Sequence, residues 1–199
     1  MSIGRRTFAL LVALHIPVLR AETDTPILVD LDTTQGLIVF EVHPTWAPHG
    51  AARFLELVKA GYFDDSRFFR VRAGFIAQFG IAGSSGVARD WRAKTIPDDH
   101  AAQSNKRGYV AFAMTGKDTR STQIYINLSD NTRLDAEGFA PFARVVEGIG
   151  FADKLYSEYG EASGGGMRTN KQDALFNEGN VWLDRKYPRL DRLVRVRIR

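Results

Sequence analysis

Apolar and polar positions alternate most clearly near the middle of this chain. Phe68 to Arg72 and Phe75 to Phe79 are rich in aromatic and β-branched residues, with Ala73-Gly74 between them. The pattern predicts two short strands joined by a tight bend, for which Gly74 supplies the backbone freedom. Period-two alternation puts Phe68, Arg70 and Arg72 on one face of the first strand. Further upstream, Ile27 to Thr33 and Leu37 to Val42 flank Thr34-Gln35-Gly36, which predicts a hairpin. Pro44 and Pro48 end that pattern, and Pro48 suits the first turn of a helix. Ala51, Phe54, Leu55 and Val58 then recur at helical spacing until Gly61 stops the run.

Downstream, Tyr109 to Met114, Gln123 to Asn127 and Phe142 to Glu147 read as further strands, and Phe151 to Tyr156 as a second short helix. The polar connection from Ala82 to Arg107 exceeds an ordinary loop, a length that goes with function or flexibility. Within it, Asp98-Asp99-His100 reads as a solvated stretch, because three neighbouring side chains on an extended backbone do not converge on a metal. Residues 157–190 hold Gly164-Gly165-Gly166 and many polar groups, and read as an insertion before the last strand. In that strand Val194, Val196 and Ile198 alternate with Arg195, Arg197 and Arg199, the pattern of a half-buried strand with a solvated basic face. Many short strands and only two helices predict a barrel or a sandwich.

Composition narrows the picture. A chain of 199 residues, 44% hydrophobic and 25% charged, suits one domain with a substantial core. Arg5-Arg6 precede an apolar run from Phe8 to Leu19, and the small residue Ala21 follows. That is the layout of an export signal, and the run is too short to span a membrane. Arg5-Arg6-Thr7-Phe8 also resembles a twin-arginine signal. The expected division is a signal over residues 1–21 and one domain over 22–199, exported to the periplasm or secreted, with no stable membrane insertion after signal removal. The signal holds Arg5, Arg6 and Arg20 and no acid, so the formal charge of +4 falls to +1 for the rest. A nucleic-acid partner is therefore not expected. With Cys 0, disulfides and thiolate chemistry are excluded.

No nucleophile–base motif surrounds the four histidines, His15, His43, His49 and His100. The chemistry lies instead in Phe68-x-Arg70-x-x-x-Gly74-Phe75-Ile76-x-Gln78-x-Gly80, which resembles the cyclophilin signature. Gly108 to Gly116 with Ser121 to Asn127 forms a second block of the same resemblance. Leu134-Asp135 with Phe142 to Gly148 forms a third, in the family's order. The resemblance implies a mainly β protein, a closed eight-stranded antiparallel β-barrel capped by two α-helices, with its site on the outer surface. It implies peptidyl-prolyl cis–trans isomerisation with no cofactor and no metal, acting on proline-containing polypeptides that are unfolded or newly exported. A monomer is expected. The alternative is a chaperone or assembly module that holds proline peptides with little turnover.

By the same resemblance Arg70 and Gln78 are the catalytic residues, Arg70 as the cation and Gln78 as the hydrogen-bond partner of the peptide backbone. Phe75, Ile76, Tyr125 and Leu134 form the proline pocket, and Ala113 and Gln123 line the groove. Two departures stand at the rim. Arg133 precedes Leu134 where many members carry tryptophan, a residue that helps hold the cyclic inhibitor cyclosporin, and Gly138 lies near a common histidine position. Tyr125 replaces a usual phenylalanine and brings a hydroxyl that needs a partner.

Overall fold

The computed structural model describes residues 24–164 and 172–199. The signal expected over residues 1–21 lies outside them. The described residues hold eight strands: β1 (Ile27–Thr33), β2 (Gly36–Val42), β3 (Arg70–Arg72), β4 (Ile76–Phe79), β5 (Tyr109–Phe112), β6 (Ile124–Asn127), β7 (Pro141–Glu147) and β8 (Leu193–Ile198). They form one sheet in the order β3-β4-β6-β5-β7-β2-β1-β8, and every neighbouring pair is antiparallel.

The sheet curls into a half-barrel, which corrects the expectation of full closure. Its end strands β3 and β8 share no ladder. An isolated Arg67–Arg192 bridge, flanked by bonds from Phe68 N to Asp191 O and Leu193 N to Ser66 O at 2.9 Å, draws the two edges together just before β3. The physical reason is the shortness of β3, three residues long, which leaves the seam without a partner strand.

Among the described residues six helices accompany the sheet: α1 (Pro48–Lys59), α2 (Ser85–Arg92), α3 (Arg133–Ala136), α4 (Ile149–Ala152), α5 (Asp173–Glu178) and α6 (Asn180–Lys186). Two were expected. α1 begins at Pro48 as predicted and buries Ala51, Phe54, Leu57 and Val58 against the sheet. Phe54 lies at the centre of the aromatic core, 5.6 Å from Phe63 and 5.2 Å from Phe142 between ring centroids. The helix expected at Phe151 to Tyr156 is a single earlier turn, α4, and α2 occupies part of the connection read as loop.

Asp99 is a second correction. Ala47 offers α1 no side-chain cap, so the exposed N–H groups of the first turn must find an acceptor elsewhere. Asp99 supplies it, accepting from His49 N and Gly50 N at 2.9 Å. Its carboxylate also pairs with Arg120 Nη1 at 3.0 Å, and both side chains are only 2% exposed. Asp98 and His100 are exposed as read, but the Asp99 side chain belongs to a buried ion pair that caps the start of a helix.

Alternation fails in two places. Phe68 and Phe69 are both fully buried, so the regular face begins only at Arg70. Residues between α4 and β8 meet this approach: Ser163 Oγ donates to Phe69 O at 2.7 Å, and Asp184 on α6 binds Arg67. In β8 the register slips opposite Asp32 and Thr33. Leu193 and Val196 therefore face inward, while Val194 is half exposed.

Candidate active site

Three adjacent strands build the site by alternation. In β4, Ala77 and Phe79 enter the barrel core, so Ile76 and Gln78 point outward. In β6, Ile124 and Ile126 go inward and Tyr125 outward, and in β5, Val110 and Phe112 go inward and Ala111 outward. Register then aligns them. Arg70 pairs with Gln78, Gln78 with Tyr125, and Tyr125 with Ala111, which makes one row across β3, β4, β6 and β5.

On this outer face Ile76, Ala111, Tyr125 and Leu134 form a small apolar cluster separate from the barrel core, with Phe75, Ala113 and Phe139 packed against it. The cluster floors an open depression of about 270 Å³ that Arg70, Gln78 and Arg133 also line. The depression thus brings together Arg70, Phe75, Ile76, Gln78, Ala113, Tyr125, Arg133 and Leu134 of the sequence candidates. Gln123 sits just beyond it, in an adjoining hollow that it shares with Gln172.

The turn between β3 and β4 sets the position of Phe75. Phe75 N–H donates to Arg72 O at 2.9 Å, and Gly74 takes the left-handed φ of +68° that the bend requires. Phe75 O in turn accepts from Leu128 N at 2.8 Å and Asn131 Nδ2 at 2.9 Å, which ties the turn down. At the other end of β4, Gly80 has φ +102°, and a Cβ there would meet Thr122 O at 2.2 Å. Only glycine lets β4 leave the site so close to the start of β6.

A polar row runs alongside the apolar floor. Arg70 Nη1 donates to Gln78 Oε1 at 3.1 Å, Gln78 Nε2 to Gln123 Oε1 at 3.0 Å, and Gln123 Nε2 to Gln172 Oε1 at 2.9 Å. Arginine carries donors only, so Gln78 must turn its oxygen to Arg70 and its amide N–H toward Gln123. The other edge of Arg70 meets Glu161, with Nε to Oε2 at 2.8 Å and Nη2 to Oε1 at 2.7 Å. These hydrogen bonds hold the Glu161 carboxyl below its ordinary value of 4.5. Arg70 is 12% exposed.

The rim is basic and aromatic. The guanidinium carbons of Arg133, Arg72 and Arg70 lie 4.9, 5.6 and 5.8 Å from the centroid of the Phe75 ring. Arg133, at the start of α3, is 65% exposed and pairs only loosely with Glu137, at 3.7 Å. The Tyr125 hydroxyl does find its partner, donating to Asn105 Oδ1 at 2.8 Å. Burial pushes that phenol well above 10, and the nearby Asp135 and Glu137 charges push it the same way.

Sequence reasoning missed Asn105, Phe139, Glu161 and Gln172. Phe139 packs edge-on against Tyr125, ring centroids 5.8 Å apart, from a loop, Gly138-Phe139-Ala140, that has no periodicity to assign it a face. Glu161 lies 91 residues after Arg70 in a stretch without periodicity, so no pattern linked the two. Among the described residues no group of three His, Cys, Asp or Glu side chains is placed to hold a metal ion.

Comparisons place this geometry. Residues 28–175 match the family model described as cyclophilin type peptidyl-prolyl cis-trans isomerase/CLD. The chain is 33% identical over 149 residues to peptidyl-prolyl cis-trans isomerase A of Dickeya dadantii, covering 70% of this chain and 75% of that one. Its fold is similar to the crystal structure of a Cryptosporidium parvum cyclophilin type peptidyl-prolyl cis-trans isomerase, with TM-score 0.64 at 17% identity over 88% of this chain and 98% of that one. The same parasite protein in the presence of the dipeptide Ala-Pro gives TM-score 0.61 at 17% identity over 86% and 98%. With the signature arginine and glutamine side by side over an apolar floor, and most of its length matched, the chain belongs to the cyclophilin-type peptidyl-prolyl cis–trans isomerases.

Proposed function

We propose that this isomerase turns X-Pro bonds in unfolded or newly exported polypeptides, with Arg70 and Gln78 as its catalytic pair. The barrier is amide resonance, about 18–20 kcal/mol, which leaves uncatalysed X-Pro rotation taking tens of seconds or longer. Rotation removes the resonance and gives the prolyl nitrogen a basic lone pair. A catalyst must bind that twisted amide better than either planar isomer.

The observation that carries the reading is the Arg70–Gln78 pair, 3.1 Å apart, at the edge of the apolar depression. The prolyl ring enters between Phe75, Ile76, Tyr125 and Leu134. Gln78 bonds the peptide backbone on one side and keeps it still, and Arg70 donates toward the prolyl nitrogen as it pyramidalises. A hydrogen bond to a charged group contributes roughly 1.5–3 kcal/mol. A millionfold acceleration needs about 8 kcal/mol. The remainder falls to the apolar floor, which favours the less polar twisted amide, and to the immobilised backbone. No bond is broken, and the proposal needs neither cofactor nor metal.

The proposed address is the periplasm or the exterior, reached through the signal over residues 1–21. No helix among the described residues is long and apolar enough to cross a membrane. The basic strand β8 is a poor nucleic-acid surface in this reading, because Arg197 pairs with Asp32 at 2.7 Å and Arg199 with Asp30 at 2.8 Å. A monomer is proposed.

A protease-coupled assay on an X-Pro peptide tests the catalytic assignment. Arg70→Ala is expected to lower kcat/KM at least tenfold, the equivalent of about 1.4 kcal/mol, with the circular dichroism spectrum unchanged. Unchanged turnover in folded Arg70→Ala would remove Arg70 from the mechanism.

A further inference from the structure

The segment that follows α4 reaches back to the catalytic arginine, and nothing in the isomerase signature asks for it. Arg70 has five N–H donors. Glu161 takes two of them through a bidentate fork at 2.8 and 2.7 Å, and Gln78 takes a third at 3.1 Å. Two remain, one on each terminal nitrogen, for the groove. A guanidinium gripped on both edges has its plane fixed, and the ordering entropy of a long side chain is spent before substrate arrives.

Glu161 is itself held in place. Its neighbour Ala162 accepts from the Tyr187 hydroxyl at 2.9 Å, and Ser163, fully buried, donates to Phe69 O at 2.7 Å. Phe69 immediately precedes β3, so the carboxylate is pinned to the strand that carries its partner. Farther along the same stretch, Gln172 accepts from Gln123 at 2.9 Å and ends the amide row. Both ends of the row Glu161–Arg70–Gln78–Gln123–Gln172 therefore come from the sequence between α4 and α5.

We infer that Glu161 is a positioning residue for the isomerase reaction, orienting Arg70 so that its free N–H edge meets the rotating prolyl amide. The inference rests on the catalytic assignment of Arg70 above. A competing effect is real: the carboxylate also weakens the field of the cation it holds. Orientation prevails because the N–H groups left over are aimed by the clamp, and a misdirected donor contributes little even at full charge. A purely structural role has a different signature. Glu161 Oε1 also lies 3.3 Å from Arg72 Nη1, so a carboxylate that merely offsets surface charge would still matter after Arg70 is gone.

The test is a double-mutant cycle in the peptide assay, with Arg70→Ala, Glu161→Ala, Glu161→Gln and the Arg70→Ala/Glu161→Ala pair, each checked for a cooperative thermal transition. Glu161→Ala is expected to lower kcat about tenfold with KM nearly unchanged, the pattern of a contact expressed in the transition state. Glu161→Gln, which keeps one acceptor and the shape, is expected to fall between wild type and alanine. In the Arg70→Ala background the second substitution is expected to change nothing further. Unchanged or raised turnover in folded Glu161→Ala overturns the inference, as does an equal loss with and without Arg70. An inactive Arg70→Ala beside a fully active Glu161→Ala would leave the catalytic assignment standing and remove Glu161 alone. An active Arg70→Ala would remove both.

Discussion

Arg133 shows how one side chain can redraw a pocket while its floor stays intact. Its guanidinium lies 4.9 Å from the Phe75 centroid on the exposed rim, where related proteins often present an indole. An apolar macrocycle such as cyclosporin would have to strip water from that cation without offering an acidic partner, which is unfavourable. A peptide with an acid near its proline would not, and such substrates are expected to be preferred. Arg133→Trp restores a flat apolar wall. It is expected to tighten cyclosporin inhibition by about tenfold or more, read as the inhibition constant in the peptide assay beside wild type. Equally tight inhibition of both proteins would show that Arg133 does not border the occupied pocket. The presence of Arg133 at this rim was legible from sequence, because it directly precedes Leu134 in a recognisable block. The partner of the Tyr125 hydroxyl was not legible. Asn105 lies 20 residues away in a connection with no periodicity, and only the fold brings it to the hydroxyl.

Among the elements, α1 depends on a contact that its own sequence does not contain. Asp99 arrives from 49 residues downstream to accept from the first turn, and Arg120 holds the carboxylate in place. Asp98, beside it, is 32% exposed; Arg120 Nε lies 3.2 Å from its carboxylate without directing its hydrogen there. The two neighbours should therefore behave very differently. Asp99→Ala removes the buried counter-charge of Arg120, leaving it Asp98 and the Pro97 carbonyl, and uncaps a helix, and is expected to cost about 3 kcal/mol. Asp98→Ala is expected to cost under about 1 kcal/mol, as a partly solvated pair does. Urea midpoints of the two variants check the contrast, and equal midpoints would contradict it. The sequence identified α1 through Pro48 and the Phe54–Val58 spacing, since periodicity is local. It misread Asp99 as solvated because burial of a carboxylate is decided by a partner elsewhere in the chain. The same limit explains the approach to β3: Phe68 packs inward against Phe79, and Phe69, which alternation would turn outward, is buried as well.

For the molecule as a whole, the eight antiparallel strands and the outer-face site were legible through the resemblance carried by three sequence blocks, while the strand order and the open seam were not. Full barrel closure needs β3 to be long enough to pair with β8, and a three-residue strand leaves only a bridge at one end of the seam. Export belongs to this scale too. If residues 1–21 are a signal, protein recovered from its native host should begin near Glu22 by mass spectrometry, and a mature chain starting at Met1 or Ser2 would refute the proposed address. The seam has a further consequence. β1 is gripped by strands on both sides, whereas β3, which carries Arg70, has a neighbour only in β4. Opening of such an edge is a local event that leaves the phenylalanine core in place. Warming should therefore silence this protein before it melts: the catalytic strand loosens, Arg70 drifts out of line, and turnover fades while the barrel behind it is still folded.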